Sequence, residues 1–315
     1  MRNLIACAVV LGLTGSGLAE TWTVDDDGPA DFDTIQAAVD AASSGDVIIV
    51  EPGAYTSEGP TVVVIDKAVE LRSSSGSGLT IIDGQSLRQC MSISPGLTSA
   101  TIVDGFHLRN GTANVGGGIR CSSNSPTITN CLISGNTTTS TTGGGGGLYC
   151  SGGASPRLEN CVIVDNSGSY GGAIHVNNSA PILDSCLISG NTASAEGGGI
   201  YVFEGNAPFL VNTTVCGNLP EQVVTYGNQL GDGGGNIISE TCPDGPGACC
   251  TGNEVVCVSY VEEDDCLLFG GEWIGPGTSC DSAACPETCL GDVTGDGQVN
   301  VNDLLTVIAN WNSCP

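Results

Sequence analysis

Cationic and aromatic residues are scarce in this 315-residue sequence. Only 7 Lys and Arg stand against 34 Asp and Glu, so the formal net charge is −27. Binding to nucleic acid depends on Lys and Arg that displace counterions from phosphates, which excludes nucleic acid as a partner. Adhesion to anionic lipid is excluded for the same reason. Aromatic residues make up 4% of the chain and glycine occurs 48 times, a composition that suits thin strands and tight turns.

Long apolar runs are absent after the first residues, so no membrane span is expected. Near the N-terminus, Arg2 precedes an apolar segment from Leu4 to Leu13, and small residues follow up to Ala19. This order is typical of a secretory signal peptide, to which a buried strand is the alternative. The sequence predicts a signal peptide over residues 1–19 and a secreted or cell-surface protein.

Glycine-led apolar segments recur in the middle of the chain. The first apolar residues of these segments are Ile119, Leu148, Ile174 and Ile200. They are spaced 29, 26 and 26 residues apart. A repeat of this length, with short apolar runs and no helical period, is typical of a β-solenoid in which each repeat forms one coil. We expect seven or eight coils, with equivalent residues stacked in columns about 4.8 Å apart.

Other residues follow the same period and are predicted to form columns. A second inward column consists of Ile128, Leu158, Leu183 and Leu210. An inward Cys behaves as a small apolar residue, so we expect buried thiols where cysteines align, at Cys121 with Cys150 and at Cys131 with Cys161 and Cys186. Cysteines on adjacent coils also lie within disulfide reach. A polar column is predicted to mark a turn with stacked side-chain hydrogen bonds, at Asn130, Asn160, Ser185 and Asn212.

The segment after the signal peptide resembles a known family. It predicts a short amphipathic helix with Asp33 as its N-cap and Gln36 three residues later, as in a capping box. Together with the apolar strand Val47–Val50 that follows, it is similar to the N-terminal cap of right-handed parallel β-helix proteins of the pectate-lyase-like superfamily. The glycine-led repeats resemble coils of its secreted bacterial members. The resemblance implies an all-β fold, a right-handed parallel β-helix over residues 20–242, with the helix covering the open first coil.

Cysteine usage predicts a second module. Of the 17 Cys, six lie close together at Cys249, Cys250, Cys257, Cys266, Cys280 and Cys285. In an exported chain this density predicts a small disulfide-stapled module, which we assign to residues 243–286. A zinc site is the alternative, although the paired C-x-x-C spacing and a nearby His are lacking.

The last segment, residues 287–315, contains the spacing of an EF-type calcium loop followed by a helix. Calcium prefers several oxygen ligands around a tight turn. Five side chains and the backbone carbonyl of Gln298 occupy the ligand positions, which are Asp292, Thr294, Asp296, Gln298, Asn300 and Asp303. The segment resembles one half of a type I dockerin repeat, which implies Ca²⁺ as cofactor and a cohesin-like protein as partner. It lacks the second repeat, and the alternative is a calcium-free turn and helix.

One outward column is a candidate binding site. It contains Arg120, Tyr149, His175 and Tyr201. Side chains of these types, stacked on adjacent coils, can pack against sugar rings or hydrogen-bond to them. The alternative is a surface strand filled with β-forming residues. The Thr- and Gly-rich run from Thr137 to Gly147 is predicted to protrude as a loop.

Candidate catalytic groups are sparse. The resemblance implies lyases that use Arg or Lys as base, or hydrolases that use clustered carboxylates. Here Glu159 and Asp184 align on adjacent coils, with Arg157 beside them. Their expected separation of about 5 Å fits a retaining glycosidase, but carboxylates on a convex face are commonly solvated charges. We expect a secreted calcium-binding interaction protein that binds polysaccharide or a protein partner, with a polysaccharide lyase or glycoside hydrolase as the alternative.

Replacing both Asp292 and Asp296 by Ala should abolish calcium binding to the tail, since it removes two charged ligands from one loop. Calorimetric titration of the full chain with calcium chloride measures the effect. Glu262→Ala with Glu263→Ala removes the same charge outside the loop and should leave binding unchanged. Equal binding by both double variants would contradict the EF-type loop.

Overall fold

The computed structural model describes residues 19–242 with their side chains, and beyond them the backbones of three strands between residues 247 and 276. Apart from one short helix, Ile35–Ala41, after the first strand, the regular secondary structure of the described chain consists of β-strands joined by turns. The strands wind into about eight coils, each passing through three long parallel sheets. Within this part of the chain, no helix has the length and apolarity needed to cross a membrane.

Four parallel sheets form the solenoid, and we refer to each by its number of strands. The nine-stranded sheet comprises Thr21–Val24, Val47–Val50, Glu70–Ser73, Ile102–Asp104, Thr127–Thr129, Arg157–Glu159, Ile182–Asp184, Phe209–Val211 and Gly231–Asp232. The eight-stranded sheet comprises Gly53–Tyr55, Thr80–Asp83, His107–Arg109, Leu132–Ser134, Val162–Val164, Leu187–Ser189, Thr214–Cys216 and Ile237–Ser239. The four-stranded sheet follows it along the coil and comprises Thr112–Ala113, Thr137–Thr138, Ser167–Tyr170 and Thr192–Glu196. The seven-stranded sheet closes the coil and comprises Thr61–Ile65, Gln89–Ile93, Ile119–Ser122, Leu148–Ser151, Ile174–Asn177, Ile200–Glu204 and Val223–Thr225.

A separate antiparallel sheet follows the solenoid. Its strands are Gly247–Thr251, Val256–Val261 and Glu272–Pro276. The middle strand of the three in sequence, Val256–Val261, contacts the strands Val162–Val164 and Leu187–Ser189 of the eight-stranded sheet. The disulfide connections predicted for residues 243–286 lie outside the described residues.

Equivalent positions of successive coils lie directly beside one another. One column, paired in register through parallel strands, is formed by Ile119, Leu148, Ile174 and Ile200. The second column is formed in the same way by Ile128, Leu158, Leu183 and Leu210. All eight side chains are at most 1% exposed. The predicted solenoid and its two core columns are therefore confirmed.

A ladder of buried amide side chains runs along the solenoid after the eight-stranded sheet. This asparagine ladder consists of Asn136, Asn166, Asn191 and Asn218, and it ends at Gln222. Each Asn Nδ2 donates to the amide oxygen of the next member at 2.8–3.0 Å. The same oxygen accepts the backbone N–H of the preceding Asn. The ladder satisfies groups that would each cost about 1–3 kcal/mol if buried unpaired.

The stacked hydrogen bonds were predicted for a different column, and that prediction is wrong. Asn130, Asn160, Ser185 and Asn212 form the turn between the nine- and eight-stranded sheets, with φ between 46° and 54°. In the described residues no hydrogen bond joins one member of this column to the next, and Asn130 instead donates to Asp104. These left-handed residues are at least partly exposed, so water can satisfy their side chains. The ladder lies six residues further along, where side chains are buried and amides must pair with each other.

The glycine-led motif has a steric basis at two adjacent positions. Gly145 has a φ of +72°, a conformation that L side chains rarely adopt. A Cβ on Gly146 would lie 2.5 Å from the carbonyl oxygen of Ser167. The first glycine therefore permits the turn into the seven-stranded sheet, and the second permits close approach of neighbouring coils.

Most solenoid cysteines are packing groups, as predicted. Six are free and buried, namely Cys90, Cys121, Cys131, Cys150, Cys161 and Cys186. Burial raises the pKa of the Cys121 thiol to about 12, which keeps it protonated and unreactive. One disulfide lies in the described residues, between Cys216 and Cys242 on consecutive coils, with Cα atoms 4.9 Å apart.

The helix begins one residue later than predicted. Thr34 is the N-cap instead of Asp33, because it has the extended backbone that a cap needs and its hydroxyl accepts from the Ala37 backbone N–H at 3.3 Å. Gln36 does not close a capping box, and its Oε1 accepts from the Val64 backbone N–H at 2.7 Å. The predicted apolar face is buried at Ile35, Ala38, Val39 and Ala42. It contacts the first strands of the nine- and seven-stranded sheets.

Asn191→Ala should lower the free energy of unfolding by about 2–4 kcal/mol, since it leaves the Asn166 backbone N–H and amide without their acceptor in a buried site. Urea denaturation followed by circular dichroism measures the change. Asn206→Ala removes an exposed amide from a loop and should shift the midpoint little. Equal effects of the two substitutions would contradict a stabilising ladder.

Candidate functional site

An aromatic cleft lies on the outer face of the seven-stranded sheet. Three successive strands place Tyr149, His175 and Tyr201 at paired positions. The ring centroids of Tyr149 and His175 are 5.2 Å apart, and those of His175 and Tyr201 are 5.1 Å apart. Both pairs meet edge to face, an arrangement favoured by the ring quadrupoles. The alignment predicted for these three side chains is present in the structure.

Residues from other columns complete the cleft. Tyr170, in the four-stranded sheet, packs its ring 4.9 Å from the ring of Tyr201. Phe203 is 47% exposed and stands at the rim, and Thr142 with Gly143 forms the facing wall. The cleft has a volume of about 340 Å³, which lies at the lower end of the range for small-molecule sites.

The facing wall belongs to the segment predicted as a protruding loop. The prediction is only partly right, because Thr137–Thr138 is a strand of the four-stranded sheet. Gly144 forms an isolated parallel bridge with Tyr170, which ties the end of the segment to the next coil. Backbone pairing at both ends thus holds the intervening residues beside the cleft.

His175 is the most buried polar group of the cleft, at 4% exposure. Its Nδ1 lies 3.2 Å from the carbonyl oxygen of Tyr170. Since a carbonyl can only accept, Nδ1 carries the proton and Nε2 carries the lone pair. Burial lowers the pKa of His175 to about 4, and the hydrogen bond to Tyr170 opposes this in part. The ring is therefore neutral near pH 7 and fixed in one tautomer.

A fourth tyrosine extends the cluster towards the C-terminal end. The ring of Tyr226 lies 6.0 Å from that of Tyr201. Its hydroxyl donates to Glu196 at 2.7 Å, which raises the pKa of Tyr226 to about 12. Burial also raises the pKa of Tyr201, with Glu196 as a further cause. Both phenols remain protonated donors at neutral pH.

The prediction of this site from the column was incomplete in two ways. Arg120 is paired in register with Tyr149, but it is exposed and does not line the cleft. Tyr170, Phe203 and Tyr226 were missed because they lie in other columns. The sequence does contain a signal for the two missed tyrosines, since four of the six tyrosines lie in the segment from Tyr149 to Tyr226.

The predicted carboxylate pair lies on another face, in the nine-stranded sheet. Glu159 and Asp184 are paired in register, and Arg157 forms an ion pair with each of them. The distance from its Nη2 to Asp184 Oδ2 is 2.7 Å, and the hydrogen bond to Glu159 raises the pKa of Arg157. An equivalent ladder on the same sheet is formed by Glu70, Arg72 and Asp104. The recurrence fits a role in joining coils.

The other predicted ligands cannot be placed. The residues predicted to bind calcium, Asp292, Thr294, Asp296, Gln298, Asn300 and Asp303, lie outside the described residues, as do residues 1–18 of the predicted signal peptide. Within the described part, three carboxylates come within 4.8 Å of one another, at Asp25, Asp26 and Asp27. Two of these residues are exposed, and exposed acidic clusters are common without a bound ion.

The family assignment follows from the match to a family model. The model for the right-handed beta helix region matches residues 56–242, which is more than half of the chain. This chain belongs to the right-handed β-helix family. The parallel coils and in-register columns therefore form a right-handed solenoid, and the aromatic cleft lies on its outer surface. No curated protein matches the chain in sequence.

A comparison with solved structures matches several pectin methylesterases. Pectin methylesterase PemA from Erwinia chrysanthemi is 15% identical with a TM-score of 0.42, over 63% of this chain and 66% of that one. The pectin methylesterase from carrot is 15% identical with a TM-score of 0.39, over 72% and 89%. The pectin methylesterase from Aspergillus niger is 16% identical with a TM-score of 0.36, over 82% and 98%. The chain thus spans slightly less than two thirds of the length of the Erwinia enzyme.

The imidazole of His175 should titrate with a midpoint near pH 4, measured by NMR of the ring resonances. Unfolded His titrates near 6.5, so the unfolded chain binds this proton first. The contribution of His175 to stability is therefore complete above about pH 6.5 and is lost as the pH falls towards 4. The neighbouring phenol of Tyr201, whose pKa is raised by burial, stays neutral over this range. A midpoint near 6.5 would contradict the buried, neutral ring.

Proposed function

We propose that this chain is a secreted carbohydrate-binding β-helix protein whose aromatic cleft holds sugar rings. The observation that carries the proposal is the concentration of tyrosines. Aromatic residues make up only 4% of the chain, yet four of its six tyrosines are Tyr149, Tyr170, Tyr201 and Tyr226, at or beside one cleft. Aromatic rings offer an apolar face and, in tyrosine, a polar tip, a combination that suits the mixed surface of a sugar.

The scaffold supports the geometry of such a site. Tyr149, His175 and Tyr201 lie on three consecutive coils, so the cleft runs along the solenoid axis. Parallel coils are spaced about 4.8 Å apart, and the outer rings are therefore separated by about 10 Å. A cleft of this length suits a short stretch of an extended chain better than a compact ligand. Because the strands are rigid, little ordering entropy is lost on binding.

The proposal includes the C-terminal tail. We infer that residues 287–315 bind calcium through the loop from Asp292 to Asp303 and dock to a cohesin-like protein. Support comes from the spacing of oxygen-bearing residues and from the acidic balance of the chain, which favours cations. In this arrangement the solenoid binds the polysaccharide and the tail provides attachment.

Catalysis is not part of the proposal. Glu159 and Asp184 share the guanidinium of Arg157, which offsets one of their two negative charges. They also lie in the nine-stranded sheet, whereas the cleft lies on the seven-stranded sheet. In the described residues, no carboxylate lines the cleft. Among the described residues, therefore, no acid–base pair in the cleft favours a polysaccharide lyase or hydrolase.

Tyr149→Ala and Tyr201→Ala should each weaken retention on polysaccharide about tenfold, since each removes a stacking surface worth about 1–1.5 kcal/mol. Affinity electrophoresis in gels containing neutral, acidic or basic polysaccharides measures retention. Phe209→Ala is the matched control, because Phe209 is 43% exposed on the nine-stranded sheet, away from the cleft. The proposal is wrong if the wild-type protein is retained by none of the gels, or if both tyrosine variants are retained as strongly as the wild-type protein.

A further inference from the structure

The aromatic cleft presents no formal charge to a ligand. Its lining residues carry hydroxyl, amide, imidazole and apolar groups only, and the imidazole of His175 is neutral. The charged residues nearest the cleft stand outside its lining. Arg120 is paired to Tyr149 and Glu204 to Asn177, while Glu196 of the four-stranded sheet is paired to Tyr170 and accepts a hydrogen bond from Tyr226. A charged ligand would lose hydration here without meeting an ionic partner among the lining residues, a cost that falls on carboxylates and ammonium groups alike.

One polar atom of the cleft has no hydrogen-bond partner in the described protein. The Nδ1–H of His175 is committed to the carbonyl oxygen of Tyr170, which leaves Nε2 as an acceptor. In the described part of the chain, no donor reaches Nε2. The residue is only 4% exposed, yet Nε2 itself is not fully buried, so it can be reached from the cleft. A ligand that brings an O–H group to this atom replaces the water that otherwise satisfies it.

The position of His175 determines where such a donor would come from. Its ring lies between those of Tyr149 and Tyr201, at 5.2 and 5.1 Å. A Cβ on Gly144 would lie 3.0 Å from Nδ1, so this edge of the ring faces the backbone wall. The other nitrogen belongs to the part of the ring that lines the cleft. A sugar held between the two tyrosines therefore passes directly over it.

We propose that the cleft binds an uncharged sugar residue, one hydroxyl of which donates a hydrogen bond to Nε2 of His175 between Tyr149 and Tyr201. The inference rests on the proposed carbohydrate-binding function and adds to it the class of sugar and the contact that selects it. Uronates and amino sugars are disfavoured by the uncharged lining. Sugars that lack a hydroxyl at the contact position leave Nε2 unpaired and bind weakly.

NMR of the full chain tests the contact directly, because the sequence contains two histidines, His107 and His175. The probes are neutral hexamers of glucose, mannose, xylose and galactose, a hexamer of galacturonate and a hexamer of glucosamine. At least one neutral hexamer should bind more tightly than both charged hexamers and should shift the Nε2 resonance of His175. His107 is buried against Ser134, with Nε2 and Oγ 2.7 Å apart, so its resonances should stay in place.

The variant His175→Phe keeps a ring in the stack and removes the acceptor. It should weaken binding of the preferred neutral hexamer about three- to tenfold, the range expected for one lost hydrogen bond. If this variant does not fold, the wild-type resonance shift alone decides. Tighter binding of a charged hexamer, or a bound neutral hexamer without a shift at His175, overturns the inference and leaves carbohydrate binding intact. Absence of binding to every hexamer and every polysaccharide gel overturns both.

Discussion

In-register stacking of parallel coils is the constraint on which the whole described structure depends. Backbone hydrogen bonds alone do not define the register. If one coil shifted along its neighbour, its N–H groups could still pair with C=O groups of that neighbour. The asparagine ladder makes slips costly, since each buried amide must meet the amide of the next coil. The glycines beside it leave no room for side chains between coils. Hydrophobic columns then pack against a backbone that is already aligned.

The candidate site is a consequence of this alignment. Residues 26 positions apart in sequence become neighbours, so a modest bias in composition at one position creates a continuous aromatic surface. The same alignment produces a charged ladder on the nine-stranded sheet around Arg157. The two surfaces differ in solvation: the ion pairs stay partly exposed, whereas His175 and Tyr201 are almost fully buried. The proposed binding cleft and the charged ladder therefore lie on different faces of the solenoid.

Much of the fold could be predicted from the sequence, because a repeat assigns each residue to a column. The two core columns, the buried thiols and the alignment of Tyr149 with His175 all follow from counting residues. Residue spacing does not show which polar column is buried. Spacing alone therefore predicts the hydrogen-bonded stack at the column of Asn130, whereas the structure has it at the column of Asn136. Spacing also does not show contacts between columns. Tyr170 lies in another column and reaches the cleft through the contact of its ring with that of Tyr201. Arg120 lies in the predicted column but is exposed and does not line the cleft.

The buried thiols can serve as chemical probes of local opening along the solenoid. Free cysteines are distributed from Cys90 to Cys186, whereas the disulfide between Cys216 and Cys242 ties the last described coils together. A thiol this deeply packed reacts with an alkylating reagent only when its own coil opens. Modification rates along the series would therefore reveal whether the solenoid frays progressively from its uncrosslinked end or opens as one cooperative unit.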